Sequence, residues 1–323
     1  MEKDRNKARA ITVKVESGDA RRRLDNFLLS RLRGVPRSRV YRMIRGGEVR
    51  VNKGRARPDR RLLEGDEVRI PPVRTAPEAR LPAEARAAAE WIQRRILYED
   101  RDLLVLDKPP GLAVHGGSGV SAGAIELLRA ARSGHDDLGL VHRLDRDTSG
   151  CLLIAKRRPV LRYLHELFRA GEVQKRYTAL LIGAWRGGHH TVDAPLLTTR
   201  RRGGERHVTV DTAGKSALTR FIPEHDYGLA QLTTVEPATG RTHQIRVHAA
   251  HLGHPVAGDR RYGPDLDPVA QEAGLRRMFL HASSLAFESR NGERVIRADA
   301  PLDEELTAVL RRLEGPGGSA GSA

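Results

Sequence analysis

The sequence predicts an α+β protein in two parts: a large unit on a mixed, largely antiparallel sheet, and a small basic module ahead of it. Three observations carry this. Strand-like and helix-like periodicities are interspersed without regular β-α alternation, which argues against a doubly wound parallel sheet. Over residues 73–90 the composition shifts to Pro, Ala, Arg and Glu, as in a linker. The chain has 323 residues, enough for two domains or for one large domain with an appendage.

Residues 1–20 read as an N-terminal extension and 21–72 as a compact unit. Leu24, Phe27, Leu28 and Leu32 recur at helical spacing and predict a first helix with one buried stripe. Pro36 breaks the chain, and Ser38 is placed to cap a second helix through Arg45 that Gly46-Gly47 can stop. Glu48 to Val51 alternates as a strand, Asn52-Lys53-Gly54 turns, and Gly65-Asp66 leads into a strand over Glu67 to Ile70. Arg37, Arg39, Arg42 and Arg45 lie on or beside the second helix, with Val40, Met43 and Ile44 as its apolar side. That is a two-helix module with a basic face, a candidate surface for nucleic acid.

The large unit spans 91–314. Its expected strands fall at Leu103 to Leu106, Cys151 to Ala155, Tyr177 to Ile182, Ala217 to Phe221 and Ala230 to Val235. Helical patterns fall at Ala124 to Arg132, Val160 to Phe168, Gln244 to His251 and Asp303 to Leu313. Lys108-Pro109-Pro110-Gly111 makes a rigid turn, and the Gly/Ser/Ala/Pro tail over 315–323 is expected to be disordered.

Lys plus Arg outnumber Asp plus Glu by 57 to 41, a formal charge of +16, and a folded protein this basic points to an anionic partner, nucleic acid first. The excess is mostly arginine, whose planar fork suits phosphate oxygens. Aromatics at 4% disfavour an extended base-stacking platform. The single cysteine, Cys151, excludes an internal disulfide and a thiolate zinc cluster. No stretch nears the roughly 20 apolar residues of a membrane span. The N-terminus lacks a signal-peptide core, so a cytoplasmic protein without a membrane partner is expected.

The densest functional segment is His142 to Gly150, with a histidine, two arginines, two aspartates, a threonine and a serine. An exposed charged turn is one reading of it, a site another. Asp145-Arg146-Asp147-Thr148 also fits the Asp-x-Asp-Thr pattern of phosphotransferases that form an aspartyl-phosphate. That chemistry needs a buried parallel strand before the first aspartate, whereas Val141-His142-Arg143-Leu144 is polar at two of four positions. His243, His248, His251 and His254 crowd one stretch, but no Asp or Glu in that helix completes a ligand set, and no metal is expected.

Leu140 to Gly150 as a whole resembles the central motif of the RluA family of pseudouridine synthases. Further family-like segments follow the expected order: Leu97 to Asp100 with Asp107 to His115, then Gln174 to Tyr177, then Gly240 to His248. Asp107 stands where the family often has asparagine. The small module is similar to the S4 RNA-binding domain through Arg23-Leu24-Asp25, Gly47 to Asn52 and Leu63-Glu64-Gly65-Asp66. Stretches such as Gly34 to Ser38, Arg69 to Arg74 and Val114 to Gly119 are closest to members acting on 23S ribosomal RNA.

The resemblance implies a pseudouridine synthase catalytic domain that isomerises uridine, without cofactor and as a monomer. Asp145 is then the essential carboxylate, which either attacks C1′ or takes the 2′ proton; both remain open. Arg246 is the cation that keeps it charged, and Tyr177 stacks on the uracil and assists at C5. Ile245 packs on the other face of the base, Arg143 fills the gap left in the RNA, and His142 supports the loop. The rival reading is a non-catalytic RNA-binding or ribosome-assembly factor on the same fold.

Overall fold

A computed structural model of the chain describes residues 10–32, 35, 37–73, 83–116, 122–132, 138–183, 185, 187–200 and 206–315, with the backbone alone at 37, 83–86, 200 and 206. The chain divides into two units, Met1–Pro82 and Ala83–Ala323.

In the first unit, β1 (Ile11–Lys14), α1 (Leu24–Arg31), α2 (Arg37–Arg45), β2 (Arg50–Val51), β3 (Gly54–Arg55) and β4 (Glu67–Ile70) follow in order, with the strands arranged β1-β4-β2-β3. Leu24, Phe27 and Leu28 of α1 and Val40, Met43 and Ile44 of α2 are fully buried over this sheet. At about 1.5–3 kcal/mol for each fully buried side chain, this stripe accounts for most of what holds so small a unit together. Gly47 ends α2 at φ +72°, and Asn52 and Lys53 both take positive φ in the two-residue turn between β2 and β3. Asp66 stitches that turn down, accepting from Asn52 Nδ2 at 2.7 Å and from the Leu63 amide at 3.0 Å.

Three local expectations change. Ile11–Lys14 pairs along its whole length with β4, and Val15 is buried beside it, so part of the presumed extension belongs to this unit. α2 begins at Arg37, which puts Ser38 inside its first turn and not at the cap. The strand expected from Glu48 shrinks to Arg50–Val51.

The second unit runs α3 (Ala83–Gln93), β5 (Ile96–Glu99), β6 (Leu103–Lys108), α4 (Ala124–Ala131), β7 (Gly139–Leu140), β8 (Ser149–Ala155), α5 (Arg158–Ala170), β9 (Gln174–Ile182), β10 (His190–Asp193), β11 (Leu196–Arg200) and β12 (Arg206–Val210). It continues through β13 (Leu218–Asp226), β14 (Ala230–Pro237), α6 (Gln244–His251), α7 (Pro268–Ala273), β15 (Leu280–Glu288), β16 (Val295–Asp299) and α8 (Glu304–Glu314). The main sheet is ordered β10-β13-β14-β9-β15-β8-β6-β5, with β16 on β15 and β7 on β8. Among the described residues β15 and β8 form its one parallel pair, so the sheet is mixed and largely antiparallel, as predicted. α3 begins where the sequence suggested linker; residues 74–82 and the tail over 316–323 lie outside the described residues.

β8 carries the architecture. All seven of its residues are buried, which is why Cys151 to Ala155 reads as an unbroken apolar run. Leu152, Leu153 and Ile154 lose all contact with solvent between β6, β15 and the helices. Gly150 has φ +99°, and a Cβ there would lie 2.3 Å from the Ala282 carbonyl oxygen of β15. Positive φ is costly for a β-carbon and the backbone opposite cannot yield. Gly150→Ala is therefore expected to destabilise the second unit by about 3 kcal/mol or more, read as a lower melting midpoint in thermal or urea unfolding.

Candidate active site

The segment 141–148 leaves β7 and returns into β8, and it is fastened from two sides. The His142 Nε2 accepts the Leu153 amide of β8 at 2.9 Å, and its ring stacks on Phe168 at 4.9 Å. Burial, reinforced by the Lys175 charge, pushes the His142 pKa down to about 4, so the ring is neutral with its proton on Nδ1. From the other side, the buried Lys108 Nζ donates to the carbonyls of Pro109 and Leu112 at 2.9 Å and of Arg146 at 3.0 Å. Burial pushes the amine down to about 7, against the pull of Asp147 and Asp145. Arg146 Nε returns the tie by donating to Gly111 O at 2.9 Å. Asp145 thus projects from a turn locked to two strands.

Opposite stands the start of α6. Gln244 is buried and holds the preceding bend, accepting from Thr239 Oγ1 (2.7 Å) and the Arg241 amide (2.9 Å) and donating to Leu218 O and Thr219 Oγ1. Arg246, in the first turn, forks onto Asp259 through Nε and Nη2, both at 2.7 Å. Its Nη1 reaches Asp145 Oδ2 at 3.2 Å. The Asp259 side chain has 0% exposure, against 19% for Asp145. Burial works against the Arg246 charge, but Asp259 and then Asp145 outweigh it, and its pKa stands above the ordinary arginine value. The guanidinium also lies 5.0 Å from the centre of the Tyr262 ring.

A cavity of about 240 Å³ is lined by Asp145, Tyr177, Ile245 and Arg246, with His142 and Arg143 also on its wall. These six sequence-selected residues, from three distant parts of the chain, thus converge on one space. Burial and the Asp145 charge raise the Tyr177 hydroxyl above its ordinary range, so it is a neutral phenol. Arg143 is exposed and, among the described residues, holds no ion pair. A larger hollow of about 990 Å³ shares Asp145 and His243 with the cavity and is rimmed by Arg146, Arg260, Arg261 and Arg276.

Sequence reasoning missed Lys108 and Asp259 as parts of the site. The Lys108-Pro109 turn was visible, but the Arg146 carbonyl that its amine also serves lies 38 residues away. Asp259 is recognisable only through Arg246. The histidine cluster disperses: His248 bonds Thr219 Oγ1 and Ala194 O, and His254 bonds Ile182 O. Among the described residues no group of three or more His, Cys, Asp or Glu is placed to hold a metal ion. The strand before Asp145 is a two-residue antiparallel one, which removes the structural context of the aspartyl-phosphate motif.

In the first unit, Arg39 is tied to Glu48 by two hydrogen bonds, at 3.0 and 2.9 Å. Arg42 and Arg45 are exposed and line a shallow hollow with Ser38 and Tyr41. The Arg37 side chain lies outside the described residues.

Residues 102–251 match the model of the RNA pseudouridylate synthase family, and residues 22–68 match that of the S4 domain. The ribosomal large subunit pseudouridine synthase C of Escherichia coli (strain K12) is 51% identical over 316 residues, 93% of this chain and 96% of that protein. The chain belongs to the RluA family of RNA pseudouridine synthases. Its relative of the same description from Yersinia pestis is 50% identical over 93% of this chain and 95% of that protein. The solved structure of human RNA pseudouridylate synthase domain containing 4 shares the fold, with a TM-score of 0.60 at 24% identity over 72% of this chain and 97% of that one. The first unit is thus an S4 domain, and the cavity lies in the synthase fold.

Within that fold the Arg246–Asp259 pair is nearly dry, so removing one partner leaves an uncompensated charge. Asp259→Ala is expected to lower stability by about 3 kcal/mol and to reduce activity further by releasing Arg246; urea unfolding and turnover measured on the same preparation check both.

Proposed function

We propose that the chain converts uridines of 23S ribosomal RNA to pseudouridine, with Asp145 as the essential carboxylate. The observation that carries this is a carboxylate in a base-sized cavity, paired at 3.2 Å with a guanidinium that a second carboxylate holds in place. The relatives described as large-subunit synthases support ribosomal RNA as the substrate, and such a substrate implies action in the cytoplasm. Among the described residues no helix is long and apolar enough to cross a membrane.

The reaction breaks the C1′–N1 bond, turns the uracil and rejoins it through C5, whose proton leaves to solvent while N1 takes one up from solvent. Atoms balance, so no redox partner or energy donor enters. The target base must first leave its stack. Arg143, exposed at the cavity wall, takes the vacated place through its planar guanidinium. Tyr177 and Ile245 sandwich the base. Asp145 then acts at the sugar, by attack on C1′ or by taking the 2′ proton, and either course discharges it. Since the Asp145 charge is one cause of the raised Tyr177 pKa, that loss lets the phenol give up its own proton to solvent more readily, and the phenolate then takes the C5 proton when the base is ready to shed it.

Asp145→Asn is expected to abolish tritium release from 23S RNA labelled with [5-³H]uridine while leaving RNA affinity within about threefold; sustained release removes Asp145 from its role. Tyr177→Phe keeps the ring and is expected to bind normally but turn over slower by roughly 10²–10³, measured in the same assay. Wild-type protein that binds the RNA and releases no tritium would favour a non-catalytic factor.

In the S4 domain, Arg42 and Arg45 contribute phosphate contacts, and Arg39 contributes less because Glu48 already holds it. Replacing Arg42 and Arg45 together by alanine is expected to reduce the slope of log affinity against log salt by about 1.5, measured by filter binding from low to moderate salt; an unchanged slope makes this face a solvated one.

A further inference from the structure

His243 has no task in the scheme above, yet its orientation is fixed more firmly than a bystander's would be. It sits at the N-terminus of α6 with φ +52°, in the left-handed region that opposes a β-carbon. Its Nδ1 lies 2.8 Å from the Tyr262 hydroxyl. The Tyr262 hydroxyl donates in that contact when Nδ1 is the unprotonated ring nitrogen, and its donation in turn favours that tautomer. A neutral imidazole that accepts at Nδ1 carries its proton on Nε2. Burial favours the neutral ring, in the combined field of Asp145, Arg246, Asp259 and Arg143.

The Nε2 proton points toward the carboxylate. Nε2 and Asp145 Oδ2 are 3.7 Å apart, too far for a direct hydrogen bond. One hydroxyl oxygen fits between them at about 2.8 Å from each, accepting from the imidazole and donating to the carboxylate. His243 also lines both the base-sized cavity and the arginine-rimmed hollow, the junction where a sugar joins a flipped base to its phosphates.

We propose that His243 Nε2 and Asp145 Oδ2 hold the 2′-hydroxyl of the target ribose between them. This rests on the reading of the cavity as the uridine site and gives it a means of telling ribose from deoxyribose. The clamp orients C1′ and C2′ toward the carboxylate without committing Asp145 to either course of reaction. His243 is a substrate-positioning residue whose tautomer Tyr262 sets.

The test uses a 23S fragment carrying one mapped target uridine, synthesised with ribose or 2′-deoxyribose at that nucleotide alone. Affinities are measured in the Asp145→Asn background, where the RNA is not consumed. A ribose preference of roughly fivefold or more is expected, as for one hydrogen bond. His243→Asn retains a polar group near the Nδ1 position and tolerates positive φ but loses Nε2, so the preference should fall toward one. His243→Gln, with its amide near the Nε2 position, should restore part of it. Tyr262→Phe, which frees the tautomer, should lower it even if the asparagine variant fails to fold. A purely structural role for His243 weakens both RNAs equally, so a preference unchanged across these variants overturns the proposal. Turnover by Asp145→Asn itself would instead overturn the carboxylate assignment, leaving the sugar preference to be judged separately.

Discussion

One guanidinium shared unequally between two carboxylates sets the terms for everything around it. A buried ion pair gains from Coulomb attraction only when its desolvation is offset by close, complete hydrogen bonding. Arg246 meets that condition through the two-point fork onto Asp259, whose Oδ1 also takes the backbone amides of Arg261 and Tyr262. Asp145 receives only the remaining Nη1 contact, at a longer 3.2 Å. The asymmetry matters because Asp145 is the partner proposed to react. When it becomes an ester or takes a proton, Arg246 still has a full-charge partner and no reason to move. A cation anchored by Asp145 alone would lose its place at the step where it is needed.

Such an arrangement demands backbone that does not give, and the sheet supplies it. Asp145 lies just before β8, a strand covered on both faces, and Tyr177 rises from β9 on the other side of β15. Gly150 and Ala282 approach so closely that β8 and β15 cannot shift without collision. Lys108 and His142 act as opposed fasteners on the intervening turn, one donating to three carbonyls, the other accepting from one amide. A short charged segment is thereby held to the tolerance that the proposed action of its carboxylate at a sugar demands.

The legible parts of this protein were those whose cause is local. α6 falls on Gln244–His251 as its spacing predicts, β4 on Glu67–Ile70, and Gly47 ends α2 in the left-handed region. Among the missed elements, β15 is interrupted by Ser283 and Ser284, where its pairing with β9 shifts register, so no clean alternation marks it. β1 alternates well enough, but its place depends on β4, more than fifty residues away. In the cavity, Asp145, Tyr177 and Arg246 were found because each belongs to a recognisable phrase. Asp259 was not, because a buried counter-ion is defined by what it faces. Lys108 shows the intermediate case: its turn was visible while the destination of its amine was not.

Charge was the first clue and its distribution proves more informative than its sum. Several arginines are already spent within the fold: Arg39 on Glu48, Arg246 on Asp259, Arg277 on Asp303. Near Asp145 two arginines have opposite assignments. Arg246 is buried, doubly paired and above its ordinary pKa, so it holds charge in one place. Arg143, two residues before Asp145, is exposed and without an ion pair among the described residues. Only the second is free to travel into a helix from which a base has been withdrawn. Had their environments been exchanged, the carboxylate would face a mobile cation and the RNA a fixed one, and neither flipping nor chemistry would be served. Burial, more than residue type, separates the two guanidiniums in the roles proposed for them.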